Sequence, residues 1–320
     1  MSVITNSSGD HDTLFVMSNS NSVPIPMPSQ GYDMHTHSLR SDGTLTPSEL
    51  VQRAHAAGVR VLALTDHDVT DGIAEAQTAA DRLGLILIVG VEISVTWQNQ
   101  TLHIVGLNIN PDQTELQQGL ARLREFRQWR AEEMGRRLRK KRIEGAYEGS
   151  ARLAQGMIIS RTHFARFLVD QGYVRGPQQA FRQFLGRGKP GYVPGRWAAL
   201  AEAVQWIVSA GGQAVVAHPA RYKLSAGKLR QMLGEFRECG GAAIEVISGS
   251  HTPDAIRHFA GIAREHGFLA SAGSDFHGPQ NTWMDLGRLP ALPEGCVPVW
   301  QEWGLEAKPS TNTDECGLAN

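Results

Sequence analysis

The chain has 320 residues, 41% hydrophobic and 20% charged, with 31 Lys and Arg against 32 Asp and Glu. A formal net charge of −1 excludes a globally basic nucleic-acid coat, and the apolar fraction is that of a globular chain, not a disordered one. No run of 18 apolar residues occurs, so no membrane span is expected; three cysteines without a CxxC pair speak against a disulfide framework and fit a reducing, cytoplasmic compartment.

Residues 1–30 are rich in Ser, Asn and Pro and read as a flexible extension, not a signal peptide. From Gly31 the text becomes rhythmic. Asp33-Met34-His35-Thr36-His37 reads as a short first strand, and Thr46-Pro47-Ser48-Glu49 supplies an N-cap, a proline at the first helical position and early acid for a helix ending at Gly58. Strands are expected at Val59–Thr65, Leu85–Ile93 and Thr101–Asn108, with a helix from Asp71 to Leu83 stopped by Gly84. Several of these strands are continuous apolar runs, the pattern of a parallel sheet buried on both faces. Strand and helix alternating through short links is the grammar of an α/β fold.

The rhythm breaks over 110–196. Residues 121–142 hold ten Lys and Arg and three acids, a local balance of +7, with Leu116, Leu120, Leu123, Phe126, Met134 and Leu138 at helical spacings. That is an amphipathic basic helix: by default a solvated appendage, more sharply a cap over a site that takes phosphate. A second helix is expected near Arg161–Gln171, then a Gly/Pro-rich segment, Gly186–Pro194. Strand–helix units resume at Trp197, with strands at Gln213–His218, Ala242–Ile247 and Phe268–Gly273. The expected organisation is a barrel built from 31–109 and 197–303, a mainly helical insertion over 110–196, and a tail at 304–320.

Polar residues gather in or just after these strands. His35 and His37 are two apart in extended chain and point the same way, so they can share one cation. Asp42, His67, Glu92, His103, His218, Asp275 and His277 fall around successive apolar runs. One histidine alone is usually a satisfied core or surface residue. Nine such donors are not, since burying them without a cation costs about 1–3 kcal/mol per unsatisfied group. Imidazole and carboxylate without thiolate favour zinc, manganese or iron, and nine donors exceed one ion's needs. Metals about 3.5–4 Å apart clamp the attacking and leaving oxygens of phosphoryl transfer.

In His35-Thr36-His37 with Ser41-Asp42-Gly43, Thr65-Asp66-His67-Asp68, Gly90-Val91-Glu92, His218-Pro219 and Ser274-Asp275-Phe276-His277, the chain resembles the PHP (polymerase and histidinol phosphatase) family of metal phosphoesterases. The resemblance implies a distorted (β/α)7 TIM-like barrel with a trinuclear site. His35, His37, Glu92 and Asp275 would hold one metal, Glu92 would bridge to a second shared with His103 and His218, and Asp42, His67 and His277 would hold the third. An aspartate at position 42, where some members carry His, favours Mn2+, with Zn2+ and Fe2+ as alternatives. Within the family the chain is similar to nucleoside 3′,5′-bisphosphate phosphatases and to the RNase AM type of 5′→3′ exoribonuclease. This implies removal of the 3′-phosphate of a small nucleotide by attack of a metal-bound hydroxide, and the same chemistry on short 5′-phosphorylated RNA. Asp275, His218 and His277 are the expected catalytic residues. Arg161, Lys189, Arg196 and Arg221 are candidates to grip a second phosphate, because an Arg fork matches phosphate oxygens; Tyr192 or Trp197 could stack on a base. The competing expectations are a histidinol-phosphate-type phosphomonoesterase and a metal-stabilised binding module without activity.

Overall fold

The structure, a computed structural model, describes residues 31–155, 158–280 and 284–303. The expected extension at 1–30 and tail at 304–320 lie outside the described residues. Strands β1 (Tyr32–Thr36), β2 (Val61–Leu64) and β3 (Ile86–Trp97) pair in parallel, connected by α1 (Pro47–Ala56) and α2 (Ile73–Leu83). The start of α1 is the capping box that its sequence spells: Thr46 Oγ1 accepts from the Glu49 N–H and the Glu49 carboxylate accepts from the Thr46 N–H. Gly84, at φ 67°, closes α2 in the left-handed conformation that glycine adopts without strain.

The parallel pattern is interrupted at the next element. β4 (Gln100–Leu107) runs antiparallel to β3 and to β6 (Gln213–Val216). The cause is a tight hairpin at Gln98-Asn99, both residues at positive φ (44° and 62°), which folds the over-long β3 straight back. A two-residue strand, β5 (Ala198–Ala199), pairs with β3, and β7 (Ala243–Ser248) and β8 (Leu269–Gly273) complete a sheet of order β1-β2-β3-β4-β6-β7-β8. A bridge between Thr36 and Phe276, with hydrogen bonds from His37 N–H to Phe276 O and from Asp275 N–H to His35 O (both 2.9 Å), links the last strand to the first. The result is a nearly closed seven-strand barrel.

Side chains from strands around the ring, among them Val61, Ala63, Ile88, Val105, Val215 and Ala243, meet in its interior, and the partly buried Trp300 packs against this cluster by stacking on Tyr32. Outward-facing Leu62, Leu64 and Leu87 pack against α1 and α2. Ile104, Val216, Ile244 and Val246 do the same under α7 (Leu200–Ser209), α8 (Ala226–Glu238) and α9 (Pro253–His266).

Between β4 and β5 lie α3 (Thr114–Arg139), α4 (Ala146–Ala154), α5 (Arg161–Asp170) and α6 (Pro177–Ala180), the last running into a π-helical turn at Phe181–Leu185. α3 serves two cores. Leu116, Leu120 and Leu123 join the barrel cluster with Trp206 and Ile207, whereas Met134 and Leu138 pack with Ile143, Phe164, Phe167 and Leu185 in a separate cluster. The basic helix is therefore anchored at one end to the barrel and at the other to the helices above it.

Candidate active site

All nine donors expected from the sequence converge at the C-terminal mouth of the barrel, where side chains from the ends of several strands can meet. His35 and His37 leave β1 with their Nε2 atoms 3.0 Å apart. Asp275 Oδ1 lies 3.6 Å from His35 Nε2 and 3.3 Å from His37 Nε2, and Glu92 Oε2 lies 3.3 Å and 3.2 Å from the same two atoms. The other side of the Glu92 carboxylate meets His103 Nδ1 (2.7 Å) and His218 Nε2 (3.0 Å), and His67 Nδ1 is 2.9 Å from Oε2. Asp42 Oδ1 is 3.2 Å from His277 Nε2 and 3.8 Å from His67 Nε2.

Local backbone explains how these residues are presented. Asp68, His218 and Asp275 take positive φ (53°, 28° and 55°), an uncommon conformation for non-glycine residues that concentrates at functional sites. Gly273 lets β8 lie directly on His35: a Cβ there would sit 2.3 Å from the His35 Cβ.

The donor set fits divalent cations. Three groups, His35/His37/Glu92, His67/Glu92/His103 and His37/Asp42/His67/His277, each bring one ligand atom per residue within 4.8 Å of one another. His277 Nδ1 donates to the Asp275 carbonyl (2.8 Å), which leaves Nε2 as a lone pair facing a carboxylate. Asp42 Oδ1, Glu92 Oε2, His67 Nδ1 and His218 Nδ1 are buried without an aligned hydrogen-bond partner. Lone pairs crowded this closely need a cation between them.

Charge follows the same logic. Burial alone would raise the Glu92 carboxyl, but the imidazoles of His67, His103 and His35 hold it well below the usual carboxylate range. Burial likewise works against the charged form of His37, yet Asp275 and Glu92 lift it to about 9. His218 is pushed down to about 4 by burial.

Two acids absent from the expected set hold this arrangement. Glu245 of β7 accepts from His35 Nδ1 through one oxygen and from the His218 N–H through the other, both at 2.5 Å. Such an outer partner fixes the ring tautomer and aims Nε2 at the metal position. Asp68 pairs with Arg127 Nε at 2.6 Å, both buried. Ser160 Oγ donates to Asp42 Oδ2 (3.0 Å) and Arg166 to the Asp42 carbonyl (3.0 Å).

Above the donors lies a cavity of about 270 Å³. Its floor includes Asp42, His67, Glu92, His103, His218, Asp275 and His277, and its roof Arg127, Arg130, Arg161, Tyr192 and Trp197. Burial, then the charges of Arg161 and Arg127, push Arg130 down to about 9, still protonated at neutral pH. Arg127 and Arg130 are buried and Arg161 is half-buried beside them, and guanidiniums crowded in this way are a site for an anion. Arg127 and Arg130 both face the Trp197 ring, at 5.0 and 5.5 Å.

Of the four phosphate-gripping candidates, Arg161 and Arg221 line this cavity, and Arg221 Nη2 pairs with Asp275 Oδ2. Lys189 and Arg196 do not line it and are exposed. Lys189 sits in a turn, its N–H on Gly186 O and its carbonyl taken by the Tyr192 N–H, so the loop delivers Tyr192 inward instead. Arg196 precedes Trp197 in extended chain, where neighbours point to opposite sides, and Trp197 is the one turned in against Phe126 and Arg127. Arg127 and Arg130, both on α3, line the cavity where Lys189 and Arg196 do not.

A model of the PHP domain matches residues 33–212. The 3′,5′-nucleoside bisphosphate phosphatase of Chromobacterium violaceum is 48% identical over 277 residues, 86% of this chain and 96% of that protein. The 5′-3′ exoribonuclease Rnm of Escherichia coli is 46% identical over 274 residues, 85% of this chain and 93% of that protein. A solved structure of an amidohydrolase from Chromobacterium violaceum, with bound sulfate and no metal, superposes with a TM-score of 0.82 at 48% identity, covering 85% of this chain and 95% of that one.

Proposed function

This chain belongs to the PHP domain family and is a phosphoric ester hydrolase; from that premise we propose that it removes the 3′-phosphate of nucleoside 3′,5′-bisphosphates, such as adenosine 3′,5′-bisphosphate. The observation that carries this reading is one cavity with two opposed walls, seven of the nine imidazole and carboxylate donors below and, above, the buried Arg127 and Arg130 with the half-buried Arg161. A phosphomonoester needs the first wall only; a molecule with phosphates at both ends of a ribose uses both. This favours a bisphosphate over histidinol phosphate.

His35, His37, Glu92 and Asp275, then Glu92, His103 and His218, then Asp42, His67 and His277 would hold two or three divalent cations. Mn2+ is the first choice because carboxylates share each position. When bound, such ions supply the Lewis acidity that activates water near neutral pH and neutralises phosphoryl charge. The chain's own residues do the rest. Arg127, Arg130 and Arg161 grip the 5′-phosphate and Trp197 and Tyr192 flank the nucleoside, which fixes the 3′-phosphorus over the donors. Arg221, on the Asp275 side of the floor, meets a 3′-phosphoryl oxygen. Water attacks in line and the P–O3′ bond breaks, with one proton of that water ending on O3′. The same bond is broken when the 3′-phosphate is a diester, and relatives named exoribonucleases share this scaffold.

The test is a side-by-side turnover measurement with Mn2+ on adenosine 3′,5′-bisphosphate, short 5′-phosphorylated RNA and histidinol phosphate. The bisphosphate should be the best of the three small or short substrates, and Asp275→Asn should lower phosphate release by several orders of magnitude with its circular dichroism unchanged. Faster turnover of histidinol phosphate, or a fully active Asp275→Asn, would overturn the reading.

A further inference from the structure

The three donor groups differ in what braces them from behind. His35, in the group with His37 and Glu92, is held by Glu245 of the barrel wall. Asp42, in the group with His37, His67 and His277, sits in the loop after β1. Asp66, just past β2, ties that loop to the barrel by accepting from the Ser38 N–H (2.8 Å), Ser38 Oγ (2.6 Å) and Ser41 Oγ (2.6 Å). The Gly43 N–H returns to Ser38 O at 2.9 Å. These bonds fix the chain on either side of Asp42 and touch neither its carboxylate nor its carbonyl. Both of those groups are held from the opposite side, by α5 of the insertion. Ser160, the N-cap of α5, donates its Oγ proton to Asp42 Oδ2 at 3.0 Å and accepts the Thr162 N–H at 3.1 Å. A hydroxyl has one proton to give and lone pairs to receive, so both bonds stand together. The Ser160 N–H is taken in turn by His163 Nδ1 (3.1 Å), and Arg166 Nη2 donates to the Asp42 carbonyl (3.0 Å).

With Oδ2 engaged, Asp42 Oδ1 is left buried, facing His277 Nε2 and His67 Nε2 and without a hydrogen-bond partner. That is the disposition of a ligand atom. A carboxylate in a loop otherwise turns about two side-chain torsions, and the bond from Ser160 removes that freedom. We infer that Ser160 is a positioning residue for Asp42, so that one cation position is completed by the insertion while the others are braced within the barrel. The inference rests on the reading of the nine donors as a divalent metal centre and adds that the cap and one part of this centre are assembled together. The strut itself is firm. Phe164, Phe167 and Leu168 of α5 are buried with Met134 and Leu138 of α3, the helix anchored on the barrel. Arg161, the residue after Ser160, lines the roof of the cavity, so the first turn of α5 sets a ligand in the floor and a guanidinium above it. Loss of an outer partner of this kind weakens metal binding about 10–100-fold.

The experiment titrates the chelator-treated full chain with Mn2+ and counts free ion by electron paramagnetic resonance, in the wild type, Ser160→Gly and Ser160→Thr. Glycine removes the hydroxyl yet is itself an accepted N-cap residue, so α5 is kept; threonine keeps both hydroxyl and cap. Ser160→Gly should hold one ion about 10–100-fold more weakly and the remainder as the wild type does, with its circular dichroism unchanged. Ser160→Thr should restore the lost ion. A glycine variant that binds every ion within about twofold of wild type, or that weakens all of them alike, would overturn the inference and leave the metal centre standing. So would a threonine variant as weak as the glycine one. A wild type that takes up no Mn2+ would fail the metal reading, and this inference with it.

Discussion

Glu245→Gln is a small change with a calculable effect. The side chain is 1% exposed, and its two oxygens accept from two donors, His35 Nδ1 and the His218 N–H, each at 2.5 Å. An amide has the same shape but one acceptor oxygen, so whichever way it turns, its NH2 faces one of those donors. A buried donor left without an acceptor costs about 1–3 kcal/mol, which in a chain of this size is a fall of roughly 1.5–4.5 °C in Tm. The same change releases the tautomer of His35, and losing such an outer partner weakens metal binding about 10–100-fold. Thermal melting of chelator-treated protein and calorimetric titration with Mn2+ measure the two effects separately. A variant melting within about 1 °C of wild type and binding Mn2+ within about twofold would show that Glu245 does not organise the site.

Arg127→Met leaves Asp68 buried without its counter-charge and should cost about 3–5 kcal/mol in urea unfolding; adding Asp68→Asn should recover much of the loss, and strictly additive losses would contradict the pairing. Arg161→Ala, which removes a contact to the 5′-phosphate and none to the reacting phosphoryl group, should lower kcat/KM on adenosine 3′,5′-bisphosphate more than on an aryl phosphate, and equal losses would remove its role in recognition. Burial pushes His163 down to about 4, where its Nδ1 accepts the Ser160 N–H. The unfolded chain binds that proton near pH 6.5, so this contribution is complete above pH 6.5 and declines as pH falls toward 4, by up to about 3 kcal/mol. His163→Gln should flatten that part of the stability profile, and parallel profiles would show that His163 does not titrate with folding.

Local chemistry was the legible part of the sequence. The Thr46/Glu49 capping box and the Gly84 stop act within a few residues, and they stand where the text puts them. His35, His37, Glu92 and Asp275 could be singled out because polar donors are conspicuous beside buried strands. The reversal of β4 was hidden because its hairpin uses Gln98-Asn99 with no glycine, the weakest spelling of a tight turn. Glu245 carried a signal, a lone acid inside the apolar run Ala242–Ile247, yet its partner lies 210 positions away and no local rule pairs them. Arg127 and Arg130 were present as two of ten cations in a charged helix. Which of the ten turn inward depends on where the barrel sits under α3, a tertiary fact. Lys189 and Arg196 show the reverse error: nearness in sequence to Tyr192 and Trp197 says nothing of direction when the chain is extended or turning.

The seam of the barrel gives the donors a second task. First and last strands are joined by the Thr36–Phe276 bridge and two flanking hydrogen bonds, and the candidate ligands straddle that junction, His35 and His37 on one lip and Asp275 and His277 on the other. An ion lodged among them would rivet the two ends of the barrel wall together. Loading the centre should then slow amide exchange along both lips at once, so that the element doing the chemistry also keeps the ring from springing open.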